Sequence, residues 1–233
     1  MTVISSLMSQ RVSRIMAAII LLMAICAAGI SPEEARAEEN KDQIYNIGLR
    51  AGNLFEVKHA PVNSMPMVSF YVRREVNDSW GAVLSLDSYV FDIKNTGGIL
   101  GIPTEKESKA SGEMSMITAS VDHVFFKDVS CFQPYVQAGL GLGFVDFDDK
   151  DNVSSAGGAP YNIKTEAKDD MEVVPTLSIG TRYMTGSRWF LDAGARFDYH
   201  VSGWKIKDRV SGGSVSIDNF YALGAYLGFG VKL

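Results

Sequence analysis

His200 and Ser202 stand two residues apart, the one place in the chain where a histidine sits so close to a serine or threonine. Such a pair becomes a nucleophile only if the imidazole reaches the hydroxyl and a third group orients it. The only carboxylates after Ser202 are Asp208 and Asp218. His200 and Ser202 are therefore kept as candidates, and no catalytic residue is assigned. Asp146, Asp148, Asp149 and Asp151 form an acidic run that could hold a divalent cation. The calcium-loop spacing fails, because Lys150 takes the fifth place, Asp151 stands where glycine is required, and Gly157 stands where the bidentate glutamate belongs. A solvated acidic loop is the plainer reading. His59 and His123 are isolated, Cys131 has no metal-ligand spacing to any histidine, and no cofactor is implied. A third group is different in kind. Arg50, Asp87, Asp122, Arg182, Asp192 and Arg196 each interrupt an alternating apolar segment, and they are expected to pair with one another as an interior ion-pair network.

The elements that would position these residues have period two. From Tyr135 to Val145, the residues Val136, Ala138, Leu140, Leu142 and Phe144 share one face, and Tyr135, Gln137, Gly139, Gly141, Gly143 and Val145 share the other. The same arithmetic sets Trp189, Leu191, Ala193, Ala195, Phe197 and Tyr199 against Phe190, Asp192, Gly194, Arg196, Asp198 and His200. It also sets Tyr221, Leu223, Ala225, Leu227, Phe229, Val231 and Leu233 against a glycine-rich face, and Leu177, Ile179 and Tyr183 against Ser178, Gly180 and Arg182. Noisier alternation covers 44–55, 65–75, 80–91 and 114–126, with Arg50, Ser85, Asp87, Thr118, Ser120 and Asp122 on the polar face. Eight strands of about 10 to 14 residues result, slightly longer than a tilted strand needs to cross a bilayer.

The start of the chain reads as a targeting segment. Arg11 and Arg14 precede an apolar run to about Ile30, and Ala35-Arg36-Ala37 offers a small-x-small cleavage site. Residues 1–37 are expected to be a signal peptide and 38–233 one domain. Ile25 before Cys26 argues against lipidation. The chain as a whole carries 22 basic and 27 acidic residues. Without the leader's three basic and two acidic residues, 19 and 25 remain, with no basic block, which excludes nucleic acid as a partner. Only Cys131 survives cleavage, so no internal disulfide can form.

Connections of about 9, 4, 22, 8, 27, 4 and 20 residues alternate between short and long, as they do where one side of a membrane carries turns and the other loops. Asn77-Asp78-Ser79, 127–131 and 185–187 are the expected periplasmic turns, and 56–64, 92–113, 146–172 and 201–216 the expected extracellular loops. In hydrocarbon an unpaired backbone group costs several kcal/mol, so strands span only in a closed sheet. The fold class is all-β: an eight-stranded antiparallel transmembrane up-and-down β-barrel. Oily side chains are expected outside, and glycines with charged groups inside. Trp80, Tyr183 and Trp189 fall near the inner strand ends and Phe144, Tyr199 and Tyr221 near the outer ends, which predicts two aromatic girdles. The competing architecture is a soluble eight-stranded carrier, but its solvated face would then be the glycine-rich one, a poor strand surface.

Pro134-Tyr135-Val136-Gln137-Ala138-Gly139-Leu140-Gly141-Leu142-Gly143 followed by Asp146-Phe147-Asp148, with Gly180-Thr181-Arg182-Tyr183 and Leu191-Asp192-Ala193-Gly194-Ala195-Arg196-Phe197, resembles the small outer-membrane β-barrel superfamily of opacity-, OmpA-, OmpX- and OmpW-type proteins. The resemblance spans the mature chain, is strongest from about 130 onward, and is specific for architecture rather than function. Its members end in an apolar closing strand with a terminal aromatic, where this chain has Leu233. No peptidoglycan-binding domain is expected to follow. The His200-Val201-Ser202 run also resembles the His-x-Ser pair of outer-membrane lipid A deacylases, which a glutamate completes on a lipid-facing surface. Here the phase is lumenal, the flanking residues differ, and no Glu follows Ser202.

The resulting expectation is a porin-like-family barrel with a structural or surface-interaction role, and no enzyme. The alternatives are a narrow conduit for small hydrophobic molecules, as OmpW-type members imply, and a lipid A deacylase. Outer-membrane lipid, lipopolysaccharide, the barrel-assembly machinery and an extracellular ligand held by the outer loops are the expected partners.

Overall fold

The computed structural model describes residues 45–58, 64–94, 109–126, 131–147, 152–156, 159–167, 171–185, 188–201, 204–208, 214–217 and 219–233. Contacts divide the chain into Met1–Gln43 and Ile44–Leu233; the leader assigned to 1–37 lies outside the described residues. Everything described that has regular structure is β: β1 Tyr45–Lys58, β2 Met65–Glu75, β3 Trp80–Lys94, β4 Lys109–Val124, β5 Phe132–Phe147, β6 Asn152–Ala156, β7 Ala159–Ala167, β8 Glu172–Met184, β9 Trp189–His200, β10 Trp204–Asp208, β11 Ser214–Ile217 and β12 Phe220–Lys232.

Eight of these strands close into a barrel in the order β1-β12-β9-β8-β5-β4-β3-β2, every neighbour antiparallel. Closure pairs the first strand with the last, from Asn46↔Lys232 outward to Leu54↔Gly224. At that seam a Cβ on Gly224 would meet the carbonyl oxygen of Asn53 and the Cα of Leu54, both backbone. Gly224→Ala is therefore expected to lower the urea midpoint in lipid vesicles by the equivalent of about 1–3 kcal/mol, the usual range for overpacking. Gly141→Ala, whose Cβ would meet mainly the flexible side chain of Met116, should cost less.

Alternation runs as the sequence arithmetic predicts through the middle of the barrel. Leu140, Leu142, Leu177, Ile179, Leu191, Leu227 and Phe229 are exposed on the outer surface, and Arg50, Asp87, Asp122, Arg182 and Arg196 are buried inside. Trp80, Tyr183 and Trp189 are exposed near the inner strand ends, Phe144 and Tyr221 near the outer ends.

Two expectations need correction. The interior is not glycine and charge throughout. Toward the outer ends of the strands the inward positions are Leu54, Met65, Met67, Phe91, Met114, Met116, Phe147, Val174 and Phe220, packed as one buried cluster. On β4 the polarity inverts, with Met114 and Met116 inside and Glu113 and Ser115 exposed outside. On β3 likewise Tyr89 and Phe91 point in while Ser88 and Asp92 face out. A wall standing above the hydrocarbon meets water, so it buries its apolar face inward as a soluble barrel does. The inversion marks where the lipid ends. Accordingly Gly141 and Gly143 make room for Met116 and Met114, and Gly230 for Phe190, rather than for charged groups, although Gly228 does lie against Arg50.

The second correction concerns the spans 146–172 and 201–216, which the sequence pattern assigns as loops. They contain β6, β7, β10 and β11, a separate sheet in the order β11-β10-β7-β6. That order matches the barrel order of the strands to which these elements are tied, since β5 leads into β6, β7 into β8, β9 into β10 and β11 into β12. Two neighbouring hairpins thus rise from one side of the barrel and join through β7 and β10, Lys205 pairing with Glu166.

Candidate functional site

The lumen is the feature that a function would have to use, and side chains fill it in layers. In the periplasmic half of the lumen, Tyr71, Val83 and Phe190 form a small buried cluster with Met184 beside them. Next to it, Asp122 on β4 accepts from Arg73 Nε at 2.8 Å and from Arg182 Nη2 at 2.6 Å, both on Oδ2. Arg73 also donates to Glu75 Oε1 at 3.1 Å, and Arg182 lies 4.2 Å over the ring of Tyr135.

Arg50 on β1 sits one layer outward. Its Nε donates to Asp192 Oδ2 at 2.8 Å and its Nη2 to the Tyr135 hydroxyl at 3.2 Å. The rings of Tyr71 and Tyr226 stand 4.1 and 4.9 Å from the guanidinium carbon. Asp192 accepts further from the hydroxyls of Tyr71 (3.1 Å) and Tyr135 (2.7 Å), and Tyr135 shares a hydrogen bond with Tyr226. Charge-assisted bonds of this kind are the strong ones, and the aromatic faces add cation–π attraction in a desolvated setting.

Above that, Arg196 on β9 binds Asp198 through Nε at 2.8 Å and Asp87 through Nη2 at 3.1 Å. Thr118 donates to Asp87 at 2.9 Å and Tyr89 to Asp198 at 3.0 Å. The methionine-rich cluster covers this layer. At its edge the buried imidazole of His200 places Nδ1 2.8 Å from Glu172 Oε1 and stacks on Phe220 at 4.1 Å.

The positions of these partners around the ring matter more than their number. β9 lies four strands from β3, and β1 four strands from β5, in a ring of eight. Arg196 to Asp87, Tyr89 to Asp198 and Arg50 to Tyr135 therefore bridge the full diameter of the barrel.

The structure brings the six charged residues singled out above into three pairs: Arg50 with Asp192, Arg182 with Asp122, and Arg196 with Asp87. Sequence reasoning did not single out Arg73, Asp198 or the tyrosines 71, 89, 135 and 226. The signal for Asp198 and Tyr135 was available, since each shares its strand's inward phase with Arg196 and Gln137. The other candidates do not converge. Asp146 is exposed, and Asp148, Asp149, Asp151, Ser202 and His59 lie outside the described residues. His123 packs between the rings of Trp80 and Phe125 at 4.8 and 4.6 Å, and Cys131 is an exposed free thiol. Among the described residues no three His, Cys, Asp or Glu side chains are placed to hold a metal ion.

A family model described as "Outer membrane protein beta-barrel domain" matches residues 17–232. The chain belongs to the outer-membrane β-barrel family. Like other members of this family it resides in the outer membrane, with the short turns in the periplasm and the long connections outside. No curated protein sequence matches it. Among solved structures, the outer-membrane barrel OprG from Pseudomonas aeruginosa is 15% identical with a TM-score of 0.58, over 83% of this chain and 97% of that one. A major outer membrane protein from Thermus thermophilus is 10% identical with a TM-score of 0.49, over 83% of this chain and 100% of that one. Neisserial surface protein A is 15% identical with a TM-score of 0.47, over 84% of this chain and 100% of that one. At such identity the OprG likeness shows the fold alone.

Proposed function

We propose that this outer-membrane barrel is a non-conducting, non-enzymatic anchor that presents its β-rich extracellular rim at the cell surface, after export through a cleaved leader and insertion by the barrel-assembly machinery. The observation that carries this reading is the set of bonds spanning the lumen from wall to wall, Arg196 to Asp87 at 3.1 Å and Arg50 to Tyr135 at 3.2 Å. An ion would have to break these buried, charge-assisted contacts, and then pass the apolar cluster of Leu54, Met67, Met114 and Phe220. The outer sheet β6-β7-β10-β11 supports a display role, because it gives the extracellular side a paired backbone on a rigid base.

The environment of His200 supports the non-enzymatic part. The imidazole is fully buried in the lumen and held by Glu172, away from any lipid substrate. One observation favours a second reading: the methionines at 65, 67, 114 and 116 line the outer lumen with flexible apolar side chains, which suits a small hydrophobic molecule entering from outside.

The purified barrel in a planar bilayer is expected to give no current steps above background, with or without voltage ramps. Stable single-channel currents would overturn the anchor reading. Accumulation of an apolar dye in barrel-containing vesicles would replace it with the conduit.

A further inference from the structure

We infer that the apolar sleeve of this barrel is notched on one side, so that the outer leaflet is drawn down and thinned along β3 and β4 while it keeps its full height against β8 and β12. The inference needs only the outer-membrane location, so it stands or falls separately from the anchor reading.

Levels around the ring follow from strand register. Stepping from partner to partner once around the ring, a path that leaves β1 at Asn46 returns to it at Glu56, ten residues farther out. A closed sheet spreads this stagger evenly, so each step toward the next strand climbs by about one and a quarter residues.

Two pairs of strands can then be compared at equal height. Ala82 on β3 leads through Val121 and Ala138 to Leu177 on β8. Corrected for three steps of climb, Leu177 stands level with Leu86, Pro175 with Ser88, Val173 with Val90, and Met171 with Asp92. On β8 this outward column stays apolar to the top. On β3 polar groups enter at Ser88, directly above Leu86. The second pair repeats the contrast. Val121 on β4 leads through Ala138, Leu177 and Phe197 to Leu223 on β12, so after four steps Leu223 and Tyr221 stand level with Met116 and Met114. The outward residue between those two levels on β4 is Ser115, and Glu113 follows just above Tyr221.

Ser88 and Ser115 are register partners and both exposed, so they form one polar patch. Its edge is sharp, because the partner of Ser115 on β5 is the exposed ring of Phe144. Beneath the patch the wall is ordinary belt, with Ile117 and Val121 exposed. Lipid therefore covers β4 only as far as Ile117, three residues short of the level of Tyr221. For a tilted strand that is about 7–8 Å of height.

Tilting the whole barrel does not account for the notch. Trp80, at the inner end of β3, leads through His123, Val136 and Ile179 to Ala195 on β9, and four steps of climb put it level with Phe190, next to Trp189. Both tryptophans are exposed, on opposite sides of the ring, and together they fix one inner interface. A tilt that matched the outer boundary would pull one of them off it. The outer leaflet yields instead, as a bilayer does beside a short hydrophobic wall.

Val90 and Val173 provide the test, being the same residue type at one level, 51% and 42% exposed. In nanodiscs of long-chain phosphatidylcholine holding the unaltered barrel, hydroxyl-radical footprinting is expected to oxidise Val90 several-fold more than Val173. Ser88→Leu with Ser115→Leu fills the notch, and should raise the urea midpoint in long-chain vesicles while leaving it unchanged in short-chain ones. Equal oxidation of the two valines, or the same midpoint change in both lipids, would overturn the inference. So would a disulfide-linked dimer of Ser88→Cys in a Cys131→Ser background under mild oxidant, because a second copy rather than thinned lipid would then cover the patch. The footprint needs no variant and decides the matter even if a substitution prevents folding.

Discussion

Asp122→Ala is expected to be the most damaging single substitution in the lumen. One carboxylate oxygen of Asp122 receives Arg182 at 2.6 Å and Arg73 at 2.8 Å, and the side chain is fully buried. Removing it leaves two guanidiniums in a desolvated layer. Arg73 would keep Glu75, and Arg182 the face of Tyr135, neither of which replaces a shared carboxylate. Deleting one partner of a buried pair typically costs about 3–5 kcal/mol, because the remaining charge is stranded. With two stranded here, the upper part of that range is expected, a large share of the roughly 5–15 kcal/mol that keeps ordinary domains folded. Urea titration in lipid vesicles and the gel shift on heating would read the loss. The combined change of Arg73→Met, Asp122→Leu and Arg182→Met should recover most of it, since an apolar layer of similar volume strands no charge. If Asp122→Ala shifts the midpoint no more than an exposed substitution does, the layer is not a stabilising network.

The same network shows what a linear sequence can and cannot reveal. In the membrane-embedded middle of β5, one face meets lipid and the other meets polar neighbours, so Val136 to Phe144 alternate cleanly and the strand is legible from its residues alone. The partners are not. Arg196 and Asp87 are 109 residues apart and meet only because β9 and β3 lie opposite each other in the closed ring, a consequence of strand count and shear rather than of local pattern. Arg73 is hidden for a related reason. On β2 the inward Met65, Met67 and Tyr71 are as apolar as the outward Val68 and Phe70, so period two carries no contrast, and Arg73 next to Arg74 gives no phase. The outer sheet escapes the pattern because its strands are short and separated by Gly157-Gly158 and Gly212-Gly213, which read as loop punctuation. Even so, Trp204-Lys205-Ile206-Lys207 alternates, and two apolar–polar repeats beside a breaker are as much as a five-residue strand can display.

Leu140→Arg carries the second large expected effect. Leu140 is 60% exposed in the middle of β5, on the outer surface between Ala119 and Pro175 in register. In water such a position would accept arginine freely, and the loss of an exposed apolar side chain would if anything improve solubility. In a bilayer the guanidinium must be dragged toward the hydrocarbon centre, at about 2–4 kcal/mol for a mid-barrel site, falling to about 0–1 near the interfaces. Val76, 66% exposed in the first periplasmic turn, provides the interfacial control. The expected result is a graded one: Leu140→Arg lowers the unfolding free energy in vesicles by several times the effect of Val76→Arg, and the difference disappears in a short-chain detergent whose headgroups can reach the belt. The two substitutions add the same charge to exposed positions of the same protein, so depth is the variable that separates them. Equal costs at both sites would mean that the exposed leucines of β5, β8, β9 and β12 are not held in hydrocarbon, and the position of the bilayer along the barrel would have to be redrawn.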